Sequence, residues 1–280
     1  MRRPVLVIAF ASLAMALGVG ASHAITGGQV DGNAHPNVAM IVFYQPQGRS
    51  RCSAVLVSPT VLVTAAHCLD GVRGKVIATF EPVAPASPAA ADDPGDATSN
   101  TGYIAPVPGW LTGTAHQHPL WHGTFQLNDL HDVAVVVLDA PYGGATPALL
   151  APRNYLAELA NGNGGFNKQT FTLVGYGIYF EKPTEGPQRP TAVSDRTRRF
   201  VDAVGQNISS QTLKLAENPN DSRADGGSCF GDSGGPVFHN GYLVADNSFG
   251  VSPFCRSFGG YYRLDTDDAR SFLDDYVAVP

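Results

Sequence analysis

From residue 37 onward the chain reads as a series of short apolar runs separated by turn formers. The runs are 37–44 (NVAMIVFY), 52–58 (CSAVLVS), 60–65 (TVLVTA), 75–80 (KVIATF) and 132–138 (DVAVVVL). Further on come 171–177 (FTLVGYG), 236–245 (PVFHNGYLVA) and 260–264 (GYYRL). Val, Ile, Phe and Tyr dominate them, and Gly, Pro, Asn or Ser bound them, which is the signature of strands. Asn240-Gly241 between two apolar runs predicts a tight hairpin. No regular alternation of strands with helical patterns appears, so the pattern predicts an antiparallel barrel or sandwich, not a parallel sheet. A 3.6-residue stripe is clearest at the end of the chain. Ala269, Phe272, Leu273 and Tyr276 share one face there, with acids in the first turn and Thr266 or Asp265 placed to cap it. The Pro-, Ala- and Asp-rich stretch 81–102 and the polar stretch 181–196 read as surface loops.

The chain has 280 residues, 44% hydrophobic and 15% charged, with a net charge of −6. That composition builds a sizeable globular core and carries no basic footprint for nucleic acid. Residues 1–24 hold Arg2 and Arg3, an apolar run and then small residues ending at Ala24, the layout of a secretory signal peptide. The apolar run is shorter than the ~20 residues of a spanning helix, so cleavage is expected instead of anchoring. Four cysteines remain, Cys52, Cys68, Cys229 and Cys255. In an exported chain their even number predicts two disulfides, with three pairings open. No C-x2-C pair points to a metal site.

The stretch 226–237, GGSCFGDSGGPV, places Ser233 inside a G-x-S-x-G pattern. An α/β-hydrolase elbow would need an acid and then a histidine downstream, with a helix after the serine. Only His239 follows, beside a hairpin turn, and Pro236 opens a β-run. The opposite order fits better. His67 lies in TAAHC after an apolar run, and Asp132 opens DVAVVVL. With GDSGGP, these stretches resemble the chymotrypsin/trypsin-like serine peptidases, from Ile25 to the final helix. The resemblance implies an all-β fold of two packed six-stranded antiparallel β-barrels with a C-terminal helix. The first barrel would span about 25–145, the second about 146–265 and the helix about 266–278.

It also implies roles. Ser233 would be the nucleophile, His67 its base and Asp132 the residue that orients the imidazole. Asp129 is a nearby acid but does not head the strand. The N–H groups of Gly231 and Ser233 would form an oxyanion hole, where one donor is worth about 3 kcal/mol. The pairing would be Cys52–Cys68 and Cys229–Cys255. Ile25, in ITGG, resembles a mature amino terminus whose ammonium pairs with Asp232, so signal cleavage itself would create the active form. Gly227 would lie at the base of the primary pocket and Ser248, Gly250 and Gly260 along its walls. Glycine there leaves room for an uncharged apolar or aromatic substrate residue, although Asp225 offers a route to Arg/Lys selection. Phe249 stands where the family usually has tryptophan, and Ser248 and Cys255 are one residue further apart than usual. A partner-binding relative without activity is the competing class.

Weaker signals change little. His116, His118 and His122 cluster in sequence, but a proline-containing loop is a poor metal scaffold, so no metal or cofactor is expected. Asp92-Asp93 reads as a solvated loop. Asn207-Ile208-Ser209 and Asn220-Asp221-Ser222 fit the glycosylation acceptor pattern. The expected partners are protein or peptide substrates of a secreted monomer, extracellular or periplasmic, with no stable membrane association.

Overall fold

The structure, a computed structural model, describes residues 25–90, 101–162, 164–181, 190–218 and 226–278. The proposed signal segment, Asp92-Asp93, the Asn220 acceptor site and Asp225 lie outside them.

Six strands make the first barrel. They are β1 (Val38–Gln45), β2 (Gly48–Ser58), β3 (Val61–Thr64), β4 (Arg73–Thr79), β5 (Leu111–Gln117) and β6 (Ala134–Leu138). Their antiparallel ring runs β1-β2-β3-β6-β5-β4 and closes β4 onto β1. A second ring repeats that order with β7 (Thr170–Gly175), β8 (Arg199–Ile208), β9 (Thr212–Ala216), β10 (Pro236–His239), β11 (Tyr242–Gly250) and β12 (Phe258–Arg263). It runs β7-β8-β9-β12-β11-β10 and closes β10 onto β7. Two barrels remove the exposed edges that two open sheets would carry. Short flanking strands at Gln29–Val30 and Leu149–Leu150 pair with β8 and β11.

The two-residue period explains why β1 is apolar throughout. Ala39, Ile41 and Phe43 point into the first barrel with Leu56, Leu62, Val76 and Val136. Val38, Met40, Val42 and Tyr44 point the other way, into a cluster drawn from both barrels and the closing helix. A strand buried on both faces loses its polar alternation. The second barrel is filled by Phe171, Leu173, Val201, Leu213, Leu215, Val237 and Tyr261.

The closing helix α2 spans Asp267–Leu273, shorter than the predicted 266–278. Thr266 caps it by accepting the Ala269 N–H at 3.2 Å, with Asp267 and Asp268 in its first turn. Ala269, Phe272 and Leu273 are buried, while Tyr276, past its end, is only half-buried. The helix α1 (Tyr155–Asn161) and the strands β5, β8 and β9 were not read from sequence. Two disulfides join Cys52 to Cys68 and Cys229 to Cys255.

Candidate active site

The first barrel supplies a histidine and an aspartate to one end of the cleft. His67 sits in a 3-10 turn, Ala66–Leu69, directly after β3, and Cys68 ties that turn to β2. Asp132 stands two residues before β6 and is fully buried. His67 Nδ1 lies 2.9 Å from Asp132 Oδ2, and the His67 backbone N–H donates to Asp132 Oδ1 at 2.8 Å. The Ser248 hydroxyl, from β11 of the second barrel, donates to Asp132 Oδ2 at 2.5 Å. The carboxylate is therefore held on both oxygens and across both barrels. The Phe125 ring packs 5.3 Å from the imidazole.

The second barrel supplies Ser233 in the turn before β10. The turn is anchored to the first barrel, because Ser53 N–H donates to the Ser233 carbonyl at 2.9 Å and the Ser53 hydroxyl to the Gly231 carbonyl at 3.1 Å. Two glycines are needed for specific reasons. Gly231 has φ +95°, a conformation that side chains disfavour. A Cβ on Gly234 would strike Thr64 and sit 2.7 Å from Ala65 N, in the chain leading to His67. Glycine thus allows the Ser233 turn and the His67 turn to touch. Neither the Gly231 nor the Ser233 N–H donates to a protein acceptor among the described residues.

No hydrogen bond joins Ser233 to His67 among the described residues, and His67 Nε2 lies 3.8 Å from Cys68 Sγ. Such bonds are commonly long without substrate and tighten when it binds.

Asp232 is fully buried and accepts N–H bonds from Gly177 at 2.7 Å and Cys229 at 2.9 Å. Burial pushes its carboxyl up to about 7, against those two bonds. Ile25 is buried in the second barrel's core, and Thr26 bridges to Gly227. In this chain Ile25 follows residues 1–24, so its nitrogen is an amide.

A cavity beside Ser233 is lined by Ser228, Ser248, Phe249 and Gly250 among others. Of the glycines and serine assigned to the pocket, Ser248 and Gly250 line this cavity, Gly227 is not among its lining residues, and Gly260 lies under the Phe249 ring. Ser248 contributes a side chain to Asp132 as well as a backbone to the cavity. Gly227 backs onto Glu217, a residue that sequence reading passed over. No local motif marks it, since Glu217 sits at the end of β9, ten residues away.

Of the histidines of 116–122, His118 comes together with His131 and Asp268, close enough to hold a metal ion. His118 stacks on His131 at 4.9 Å between centroids, and His131 spans Asp129 at 2.6 Å and Asp268 at 2.7 Å.

The family model described as Trypsin matches residues 25–265. A search of curated proteins finds no match. Among solved structures, HL collagenase is 18% identical with TM-score 0.54, covering 90% of this chain and 94% of that one. Human heparin binding protein is 16% identical with TM-score 0.54, covering 91% and 99%. A structure titled GrC is 17% identical with TM-score 0.57, covering 89% and 97%. At these identities the likeness is one of fold.

Proposed function

The chain belongs to the trypsin family, and from that premise we propose that it is a secreted serine endopeptidase working through His67, Asp132 and Ser233. The observation that carries the proposal is the grip of buried Asp132 on the His67 ring, opposite the turn that bears Ser233. His67 Nε2 takes the Ser233 proton as Oγ attacks the substrate carbonyl. The carbonyl π electrons move to oxygen, and the unengaged N–H groups of Gly231 and Ser233 receive that oxyanion. Collapse expels the amine, which leaves with the proton from His67. Water then repeats the sequence on the acyl-enzyme and frees Ser233. Asp132 keeps Nδ1 protonated and stabilises the imidazolium. Ser248 and the His67 N–H keep Asp132 aimed.

Gly227 and Gly250 favour an uncharged residue in the primary pocket; the carboxyl of Glu217 favours a basic one. Export is supported by the amino-terminal layout and by two disulfides, which persist in oxidising compartments. Among the described residues no helix is long and apolar enough to cross a membrane.

A fluorophosphonate probe tests the reading. Ser233 of the secreted protein should be labelled, and Ser233→Ala should lose labelling and on the order of 10⁶ in turnover. An unlabelled Ser233 with no peptide turnover would favour a binding protein on this fold.

A further inference from the structure

The cleft carries Ser233 at its mouth and an acid at its floor. Glu217 follows β9, is 2% exposed, and borders the same cavity as Ser233, Phe249 and Gly250. Its side chain runs through space that two glycines leave open. A Cβ on Gly227 would collide with the Glu217 stem, and one on Gly259 would sit 2.5 Å from Oε1.

The carboxyl is only half satisfied. Oε1 accepts the Ser228 N–H at 3.0 Å, the Ser228 hydroxyl at 2.8 Å and the Tyr261 hydroxyl. Oε2 has no hydrogen-bond partner among the described residues. Nor does an ion pair join Glu217 to Arg256, the other charged residue lining the cavity. Burial pushes the carboxyl upward, while the donors on Oε1 pull it back toward the ionised form. A buried carboxylate without a cation is costly, and an incoming cation relieves that cost.

Resting on the serine-peptidase reading of this site, we infer that Glu217 is the specificity-determining residue of the primary pocket. Its Oε2 receives the cationic head of an arginine or lysine on the acyl side of the cleaved bond. The glycine at 227 is then not the mark of an uncharged pocket. It is the gap through which an acid from the neighbouring strand reaches the floor, and the substrates are proteins cut after basic residues.

Two measurements test this. The first profiles peptides varied at that one residue, in the wild type and in Glu217→Gln, which keeps the shape and removes the charge. The wild type should favour Arg and Lys over Leu and Phe by at least ~10²-fold in kcat/KM, and the variant should lose most of that factor. Fluorophosphonate labelling of Ser233 reports whether the variant's site is intact. The second needs no variant: benzamidine should inhibit the wild type at least ~10-fold more tightly than neutral benzamide. A preference for Leu or Phe, with benzamide binding as well as benzamidine, overturns the role of Glu217. A labelled Ser233 would then leave the peptidase reading standing. An unlabelled Ser233 without turnover overturns both.

Discussion

Asp246 is the residue whose chemistry is least comfortable. It lies on β11, two positions before Ser248, and is fully buried, with neither carboxyl oxygen hydrogen-bonded among the described residues. Burial, and then the charge of Asp132, push its pKa well above the ordinary 3.8. The folded protein therefore holds this proton more tightly than the unfolded chain does, which works against a second buried anion beside Asp132. The sign of the linkage follows. Below the ordinary carboxylate range both folded and unfolded forms carry the proton and nothing is lost. As pH rises, the unfolded form gives up its proton while the folded form keeps it, so stability falls. Asp246→Asn removes that term. In a Ser233→Ala background that prevents self-digestion, urea unfolding should show the Asn variant gaining stability over the Asp246 protein as pH rises from 3.5 to 8. The two proteins should converge near pH 3.5, and equal stability at both pH values would mean that Asp246 is ionised and partnered. A buried aspartate beside Asp132 was invisible in sequence, because the apolar run was read only as far as Ala245. His67, Asp132 and Ser233 were legible for the opposite reason. Each sits at the end of a strand, where the local string of residues is constrained by the turn it must make.

Strands were legible where both faces are buried and obscure where they are not. The run at β1 is continuous, since alternate residues serve two cores. β5 reads LTGTAHQ, with few large apolar residues. Gly113 is required there because a Cβ would sit 2.7 Å from the Val137 carbonyl and from Val136 Cγ1. α1 was missed because it is short and begins after Asn154 in the left-handed region, without a side-chain cap. Gly227 N–H donates to the Thr26 carbonyl at 2.9 Å, so the segment after Ile25 is stitched to the chain that packs against Glu217. Asp232, with a pKa near 7 against an ordinary 3.8, lowers stability progressively as pH rises from about 4 to 7. The loss at neutral pH and above is on the order of 4 kcal/mol. We propose that the ammonium freed at Ile25 pairs with this carboxylate and removes the penalty. A protein beginning at Ile25 should then hold its thermal midpoint between pH 5 and 8 and be at least ~10²-fold more active than one with a blocked or extended amino terminus. Equal activity in the extended form would separate Asp232 from activation.

Across the whole molecule, the two barrels must stay in register, because His67 and Asp132 belong to one and Ser233 and Ser248 to the other. A large apolar cluster is shared between them, and besides the Ser248–Asp132 and Ser53 bonds a polar clamp crosses it. Arg198, just before β8, is fully buried, and its Nε donates to Asp31 Oδ2 at 2.8 Å. Its Nη1 donates to the Val38 and Phe80 carbonyls of the first barrel at 3.0 and 2.9 Å, and to the Tyr176 hydroxyl at 3.1 Å. Burial alone would raise the Asp31 carboxyl, yet the hydrogen bonds from His35 and Arg198 hold it at about 2. A depressed acid contributes stability that is complete above the ordinary carboxylate value and is lost as pH falls through the folded one. The clamp should thus give up about 2 kcal/mol between pH 4 and pH 2. Arg198→Met leaves Asp31 buried without its cation and strands the acceptors on both barrels. In the Ser233→Ala background it should cost roughly 3–5 kcal/mol at pH 7, and Asp31→Asn added to it should recover a large part. That recovery separates an uncompensated charge from simple loss of packing, which a second substitution would only deepen. If Arg198→Met costs less than about 1 kcal/mol, the apolar cluster and the Ser53 and Ser248 bonds keep the barrels aligned without it. The geometry of the cleft would then owe nothing to the clamp.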